Sequence, residues 1–280
     1  MTDCHRRLPD GVLLLSMRYP AFLQPGGRIG FIAPSFGAVT EPYRSYFNHA
    51  LDRFRRMGYR TVTGPNCFAD CGIGKSNTSE ACGAEINDFF TRDLCDVVLS
   101  CGGGETMCED LPFVDFDAIG AAPPRWFMGY SDNTNLTLLL PTLCDTAAVY
   151  GPNASSFGME PWHAALEDAF SLLTGTAHDF SNYAAWEKAD QPAEERRPFE
   201  GYHATEPYAM KIFAPDPEVS MSGRLLGGCL DCLSILCGTR FDRVKEFAGR
   251  YREDGILWFI EACADVHAAG NRLFMRYRFC

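Results

Sequence analysis

The chain has 280 residues, of which 46% are hydrophobic and 22% charged, and its formal net charge is −11. This composition is typical of a globular protein with room for two domains. The acidic surplus argues against nucleic acid and anionic membranes as partners, because both favour surplus lysine and arginine. No apolar stretch is long enough for a transmembrane helix or a signal peptide, so we expect a cytoplasmic protein that does not bind membranes.

Strands and helices alternate in the first half of the chain. A strand is predicted at 28–33, and a helix follows at 43–57 with its apolar residues on one face. The next predicted elements are strands at 59–62, 97–100 and 126–129 and helices at 84–90 and 133–140. This alternation predicts an α/β fold, with a mainly parallel sheet covered by helices on both faces.

The second half of the chain is less regular. A helix is predicted at 162–173, and 181–218 is rich in proline, glutamate and alanine, which is typical of a linker with some local structure. A second unit begins at 222, with a helix at 230–236 and a strand at 255–260. We therefore divide the chain into a nucleophile domain, a helix with a linker, and a partial C-terminal domain, at 17–155, 156–221 and 222–280.

The thirteen cysteines are scattered, and many lie in apolar runs. Such a distribution indicates buried free thiols rather than a disulfide framework. Cys229 and Cys232 have the spacing of a zinc-binding pair, but no second cysteine or histidine pair follows them. We expect no disulfide and no bound metal, and we expect both side chains to face apolar neighbours.

Ser131 lies in the segment Gly-Tyr-Ser-Asp-Asn-Thr, between a predicted strand and a predicted helix. This setting is typical of a nucleophile elbow, which exposes a serine hydroxyl beside free helix amides. The second glycine of the G-x-S-x-G pattern is absent, because Asn133 stands there. The alternative interpretation is that Ser131 only caps the helix.

Three consecutive glycines, Gly102, Gly103 and Gly104, follow the predicted strand at 97–100. Their backbone amides can converge on an anion, as in an oxyanion hole, and a simple tight turn is the alternative. The Walker and dinucleotide-binding patterns are both absent. Glu261 ends the strand at 255–260, where a carboxylate can orient a histidine or merely face solvent.

Together these segments resemble the L,D-carboxypeptidases, a family of serine peptidases that includes the muramoyltetrapeptide carboxypeptidases and the microcin C immunity hydrolases. The resemblance runs from about residue 17 to 274, and the matching motifs are 30–35, 101–105, 129–132, 151–152, 223–228 and 258–261. It implies a Rossmann-like N-terminal domain, a smaller β-rich C-terminal domain that is incomplete here, and a homodimer.

The resemblance also implies the roles of single residues. Ser131 matches the nucleophile and Glu261 the acidic member of the triad. The oxyanion donors fall on the backbone amides of Gly103 or Gly104 and of Asp132. The chemistry requires neither a metal nor an organic cofactor.

The chain departs from the family's pattern near both ends. Family members place the triad histidine well after the acidic residue, whereas only 19 residues follow Glu261 here and His267 is the only histidine among them. We therefore expect a C-terminally truncated, poorly soluble protein with slow hydrolysis, and we consider His267 as a substitute base. The family-like sequence begins at Met17, which we expect to be the natural start.

The resemblance predicts cleavage of the L,D bond to the terminal D-alanine of murein tetrapeptides, in peptidoglycan recycling. One alternative is hydrolysis of a peptidyl-nucleotide antibiotic, with the region of Trp162 and Trp186 as a stacking surface for the base. Another is a truncated product without activity that only binds peptides.

Overall fold

A computed structural model describes residues 17–72, 74–188, 198–216 and 218–262 of the chain. The strands are β1 Arg28–Ile32, β2 Arg60–Thr63, β3 Val97–Ser100, β4 Trp126–Gly129, β5 Val149–Tyr150, β6 Ala185–Trp186, β7 Glu206–Pro207, β8 Arg224–Cys229 and β9 Ile256–Glu261. The α-helices are α1 Tyr43–Arg56, α2 Ser79–Thr91, α3 Phe116–Ala121, α4 Thr134–Cys144, α5 Ala164–Thr174, α6 Leu230–Leu236 and α7 Val244–Arg250.

Five parallel strands form the central sheet, in the order β2-β1-β3-β4-β5. The predicted α/β fold is thereby confirmed. Because the strands are parallel, the loops that follow β1, β3, β4 and β5 meet at one edge of the sheet. Open α/β sheets bind ligands at this carboxyl edge, at the point where the strand order reverses, which here lies between β1 and β3.

Successive residues of each strand point to opposite sides of the sheet, and helices cover both sides, so both faces are buried. On one face, Phe31 and Leu99 pack with residues of α1 and α5, including Phe54 and Leu166. On the other face, residues such as Val98 and Phe127 pack against α2, α3 and α4. This arrangement explains why β3 and β4 have continuous apolar sequences rather than alternating ones.

The C-terminal unit packs on α4. Its strands β8 and β9 form a two-stranded parallel sheet in which Cys229 pairs with Glu261. Leu138 and Leu139 of α4 share one apolar cluster with Leu233 of α6 and Phe247 of α7. Helix α4 is therefore buried between the central sheet and the C-terminal unit. The predicted domain boundaries remain a prediction.

Some elements differ from the sequence-based prediction. Helix α2 begins at Ser79 rather than at residue 84, because the Thr78 side chain caps its first turn by accepting from the Ala81 amide. Strand β5 and helix α3 are additional, since both are too short to give a periodic pattern, and strand β8 and helix α7 were also not predicted. The predicted linker contains the antiparallel pair β6 and β7. Residues 1–16 lie outside the described residues, so the natural start at Met17 stays a prediction.

Across the described residues, every helix is too short or too polar to cross a membrane.

Candidate active site

Ser131 lies on a sharp turn between β4 and α4. Its φ of 62° is in the left-handed region, which is uncommon for a residue with a side chain. A short 3-10 turn over Ser131–Asn133 leads directly into α4. A serine held in this conformation at the carboxyl edge of a sheet has the geometry of a nucleophile elbow.

Asn133 explains why the second glycine of the elbow pattern is absent. Its Nδ2 donates hydrogen bonds to the carbonyl oxygens of Gly102, at 2.9 Å, and Tyr130, at 3.0 Å. A Cβ added to Gly129 would lie 2.7 Å from Cγ of Asn133. The first glycine is therefore needed to make room for Asn133, which joins the elbow to the glycine loop.

The glycine loop 102–104 lies against the side chain of Ser131. A Cβ added to Gly103 would lie 3.4 Å from the Ser131 Oγ and 3.2 Å from its Cβ. Gly104 has a φ of 143°, and a Cβ there would lie 2.0 Å from the Ser35 Oγ. Within the described residues, the amides of Gly103 and Gly104 donate no hydrogen bond, so both are available to an anion beside Ser131.

The Asp132 carboxylate is a structural anchor of the elbow. It is 3% exposed, and its Oδ2 accepts hydrogen bonds from the Ser35 hydroxyl at 2.6 Å and from the Met107 amide at 2.9 Å. Asn135 Nδ2 donates to its Oδ1 at 3.0 Å. The sequence analysis predicted only that the backbone amide of Asp132 is an oxyanion donor, and it assigned no role to the side chain. The side chain holds the elbow to the loops after β1 and β3.

Tyr150, the last residue of β5, connects Ser131 with Glu261. Its hydroxyl accepts a hydrogen bond from the Ser131 amide at 2.9 Å and donates one to Glu261 Oε1 at 2.6 Å. Burial and this bond to Glu261 raise the pKa of Tyr150 above its ordinary value. The structure thus brings four predicted site residues, Ser131, Gly103, Gly104 and Asp132, to one place and joins Glu261 to them.

The environment of Cys232 was predicted incorrectly. Its thiol does not face only apolar neighbours, because it donates to the Ser131 carbonyl oxygen at 3.6 Å and to Asp132 Oδ1 at 3.8 Å. Cys232 is 7% exposed and Cys229 is 6% exposed. Burial raises the pKa of both thiols, so both stay protonated and unreactive near neutral pH.

No histidine among the described residues makes a hydrogen bond with Ser131 or Glu261. The candidate base His267 lies outside the part of the chain that the structure describes. In that described part, no three histidine, cysteine, aspartate or glutamate side chains are arranged to hold a metal ion.

Glu85 supports the loops below the site. It is 4% exposed, and its two oxygens accept hydrogen bonds from the amides of Ala33, at 2.8 Å, and Asn66, at 2.9 Å. Burial raises the pKa of Glu85 to about 7. Sequence reasoning missed Glu85 and Tyr150, although the Gly-Pro motif at 151–152 adjoins Tyr150 and could have drawn attention to it.

A serine on a left-handed turn at the carboxyl edge of a parallel sheet, beside free loop amides, is the arrangement found in α/β hydrolases. Residues 29–151 match the LD-carboxypeptidase N-terminal domain. This match covers less than half of the chain, and within it the sequence resemblance to the family of serine-type peptidases is confirmed.

The microcin C7 self-immunity protein MccF of Escherichia coli is 29% identical over 140 residues, which are 50% of this chain and 40% of that protein. This sequence match therefore spans less than half the length of that relative. A solved MccF variant in complex with adenosine monophosphate has 25% identity and a TM-score of 0.67, covering 93% of this chain and 75% of that chain. An MccF-like protein from Bacillus anthracis has 21% identity and a TM-score of 0.68. The match covers 94% of this chain and 75% of that chain.

Proposed function

We propose that the protein is a serine L,D-carboxypeptidase that removes the terminal D-alanine from murein tetrapeptides. Ser131 attacks the carbonyl carbon of the bond between the L-centre of the diamino acid and D-alanine. The amides of the glycine loop and of Asp132 hold the oxyanion, and Glu261 orients the base that takes the serine proton, for which His267 is the candidate in this chain. D-alanine leaves with a proton on its amine, and water then hydrolyses the acyl-enzyme.

One observation carries this proposal: the left-handed turn at Ser131 faces the glycine loop. Ser131 has a φ of 62°, a Cβ added to Gly103 would lie 3.4 Å from its Oγ, and within the described residues the amides of Gly103 and Gly104 donate no hydrogen bond. A strained backbone conformation persists only where the surroundings stabilise it, and such positions cluster at active sites. A serine that only capped a helix would not require this conformation.

The test is incubation of the purified protein with a murein tetrapeptide, with D-alanine measured by mass spectrometry. We expect slow release of D-alanine by the wild type and none by Ser131→Ala. The exposed Ser181 provides a control, since Ser181→Ala should retain the wild-type rate. Absence of release by the wild type, or equal release by Ser131→Ala, would contradict the proposal.

A second candidate function is hydrolysis of a peptidyl nucleotide. It is favoured by the similarity to a solved MccF variant bound to adenosine monophosphate. Trp186 is 50% exposed and can stack on a base, whereas Trp162 packs on Phe157 and donates its Nε1–H to the Phe157 carbonyl oxygen. An aminoacyl-sulfamoyl-adenosine offered beside the tetrapeptide separates the two functions, because this candidate predicts Ser131-dependent cleavage of the nucleotide compound alone.

A further inference from the structure

The Tyr150 hydroxyl acts both as a hydrogen-bond acceptor and as a donor. It accepts from the Ser131 amide at 2.9 Å and donates to Glu261 Oε1 at 2.6 Å. The ring of Tyr150 packs on that of Phe259, with centroids 5.4 Å apart. Since Phe259 and Glu261 lie on the same strand, β9, packing and hydrogen bonding fix the hydroxyl between the elbow and the acidic residue.

Tyr150 is not itself suited to be the general base. Burial and the bond to Glu261 raise the pKa of its hydroxyl, which therefore keeps its proton at neutral pH. That proton is directed to Glu261, and the oxygen already accepts the Ser131 amide. A group in this state can hold its neighbours in place but cannot take a proton from Ser131.

We propose that Tyr150 is a positioning residue that fixes Glu261 and removes the Ser131 amide from the set of oxyanion donors. This inference rests on the proposed function. Because the Ser131 amide is occupied, the oxyanion is left to the amides of the glycine loop and of Asp132. Because Glu261 Oε1 accepts from Tyr150, the base is oriented through Oε2, for which no partner exists among the described residues.

The first test needs no activity. Removal of the hydroxyl in Tyr150→Phe leaves the Ser131 amide without its acceptor, so its proton resonance should move upfield and its exchange with solvent should accelerate about tenfold or more. Tyr183→Phe is the matched control, because the Tyr183 hydroxyl also donates at 2.6 Å to a carboxylate, that of Asp168. An unchanged Ser131 amide in Tyr150→Phe would overturn the proposal.

The second test is kinetic and separates positioning from binding. We expect Tyr150→Phe to lower kcat for D-alanine release by about 10- to 100-fold with KM changed less than about twofold, and Tyr183→Phe to change neither. Tyr150→Phe combined with Glu261→Gln should lose less than the product of the two single losses, because both act on one group. Multiplicative losses, or an effect on KM alone, would overturn the proposal.

The two proposals fail in different ways. If the wild type releases no D-alanine, the proposed function fails, while the Ser131 amide resonance still decides whether Tyr150 holds the elbow. If Tyr150→Phe does not fold, Glu261→Ala removes the same link from its other end. The Ser131 amide resonance should then shift through the altered polarity of the Tyr150 hydroxyl, and an unshifted resonance would overturn the proposal.

Discussion

The Ser35 hydroxyl donates a 2.6 Å hydrogen bond to Oδ2 of Asp132, and both residues are at least 97% buried. This bond joins the loop after β1 to the elbow after β4, across the carboxyl edge of the sheet. The two residues are 97 positions apart in the chain, so the bond forms only when the strands have assembled. It makes the conformation of the elbow dependent on the folded sheet.

Ser35→Ala should therefore destabilise the protein. The Asp132 carboxylate would remain buried and lose one of its donors, which costs about 1–3 kcal/mol. Urea unfolding followed by circular dichroism measures this difference in the free energy of unfolding. Ser181→Ala, at an exposed position, serves as the control and should change the value by less than about 0.5 kcal/mol. Equal stabilities of the two variants would contradict the anchoring role.

Two glycines of the loop 102–104 should respond differently to alanine. At Gly104, φ is 143° and the new Cβ would lie 2.0 Å from the Ser35 Oγ, so Gly104→Ala should cost about 2–4 kcal/mol in the free energy of unfolding. At Gly103 the closest atom, the Ser131 Cβ, would lie at 3.2 Å, so Gly103→Ala should fold. Its methyl group crowds the serine, and D-alanine release should fall about tenfold or more.

Gly249 provides the control for these glycine substitutions. It lies within α7, and an added Cβ would have no atom within 4 Å apart from the chain neighbours and the backbone of its own helix. Gly249→Ala should therefore stabilise the protein by about 1 kcal/mol, because alanine favours a helix over glycine by this amount. Thermal unfolding of the three variants gives the order of stability. A Gly104→Ala variant as stable as Gly249→Ala would contradict the close packing of the loop.

Asp110 should make stability depend on pH. Burial raises its pKa from an ordinary value of 3.8 to about 7, although Lys75 Nζ lies 3.8 Å from Oδ1 and favours the charged form. The folded state therefore binds the proton more tightly than the unfolded state does. This contribution is fully present below about pH 4 and is lost as the pH rises through about 7.

Asp110→Asn cannot ionise and should remove this dependence. The stability of the variant relative to the wild type should rise by about 2 kcal/mol between pH 5 and pH 8. Glu85 also titrates near pH 7, but it is present in both proteins and cancels in the comparison. Urea unfolding at several pH values measures the difference, and parallel pH profiles for the two proteins would contradict the buried state of Asp110.

The elements of the fold that have a clear local sequence pattern were predictable. The apolar runs at β1, β3 and β4 and the periodic face of α1 indicated a parallel sheet with helices on both faces. Strand β5 was not predictable, since its two residues, Val149–Tyr150, give no pattern. Its position comes from pairing with β4, which is a long-range contact.

The parts of the candidate site that lie within a single sequence motif were predictable. Ser131 and the glycine loop are local motifs, and the structure places them together. The link through Tyr150 could not be predicted, because it joins residues that are 19 and 111 positions from it. The polar environment of Cys232 was missed for the same reason, since its partners, Ser131 and Asp132, lie on another element.

The central claim is that Ser131 is the nucleophile, and covalent labelling tests it most directly. The protein is treated with a fluorophosphonate, which forms a stable phosphonyl ester with an activated serine as fluoride leaves, and the modified peptide is sequenced by mass spectrometry. We predict one adduct, on Ser131, that forms in the wild type and in Ser181→Ala and is absent from Ser131→Ala. An adduct on another serine, or a wild-type protein that remains unmodified, would contradict the claim.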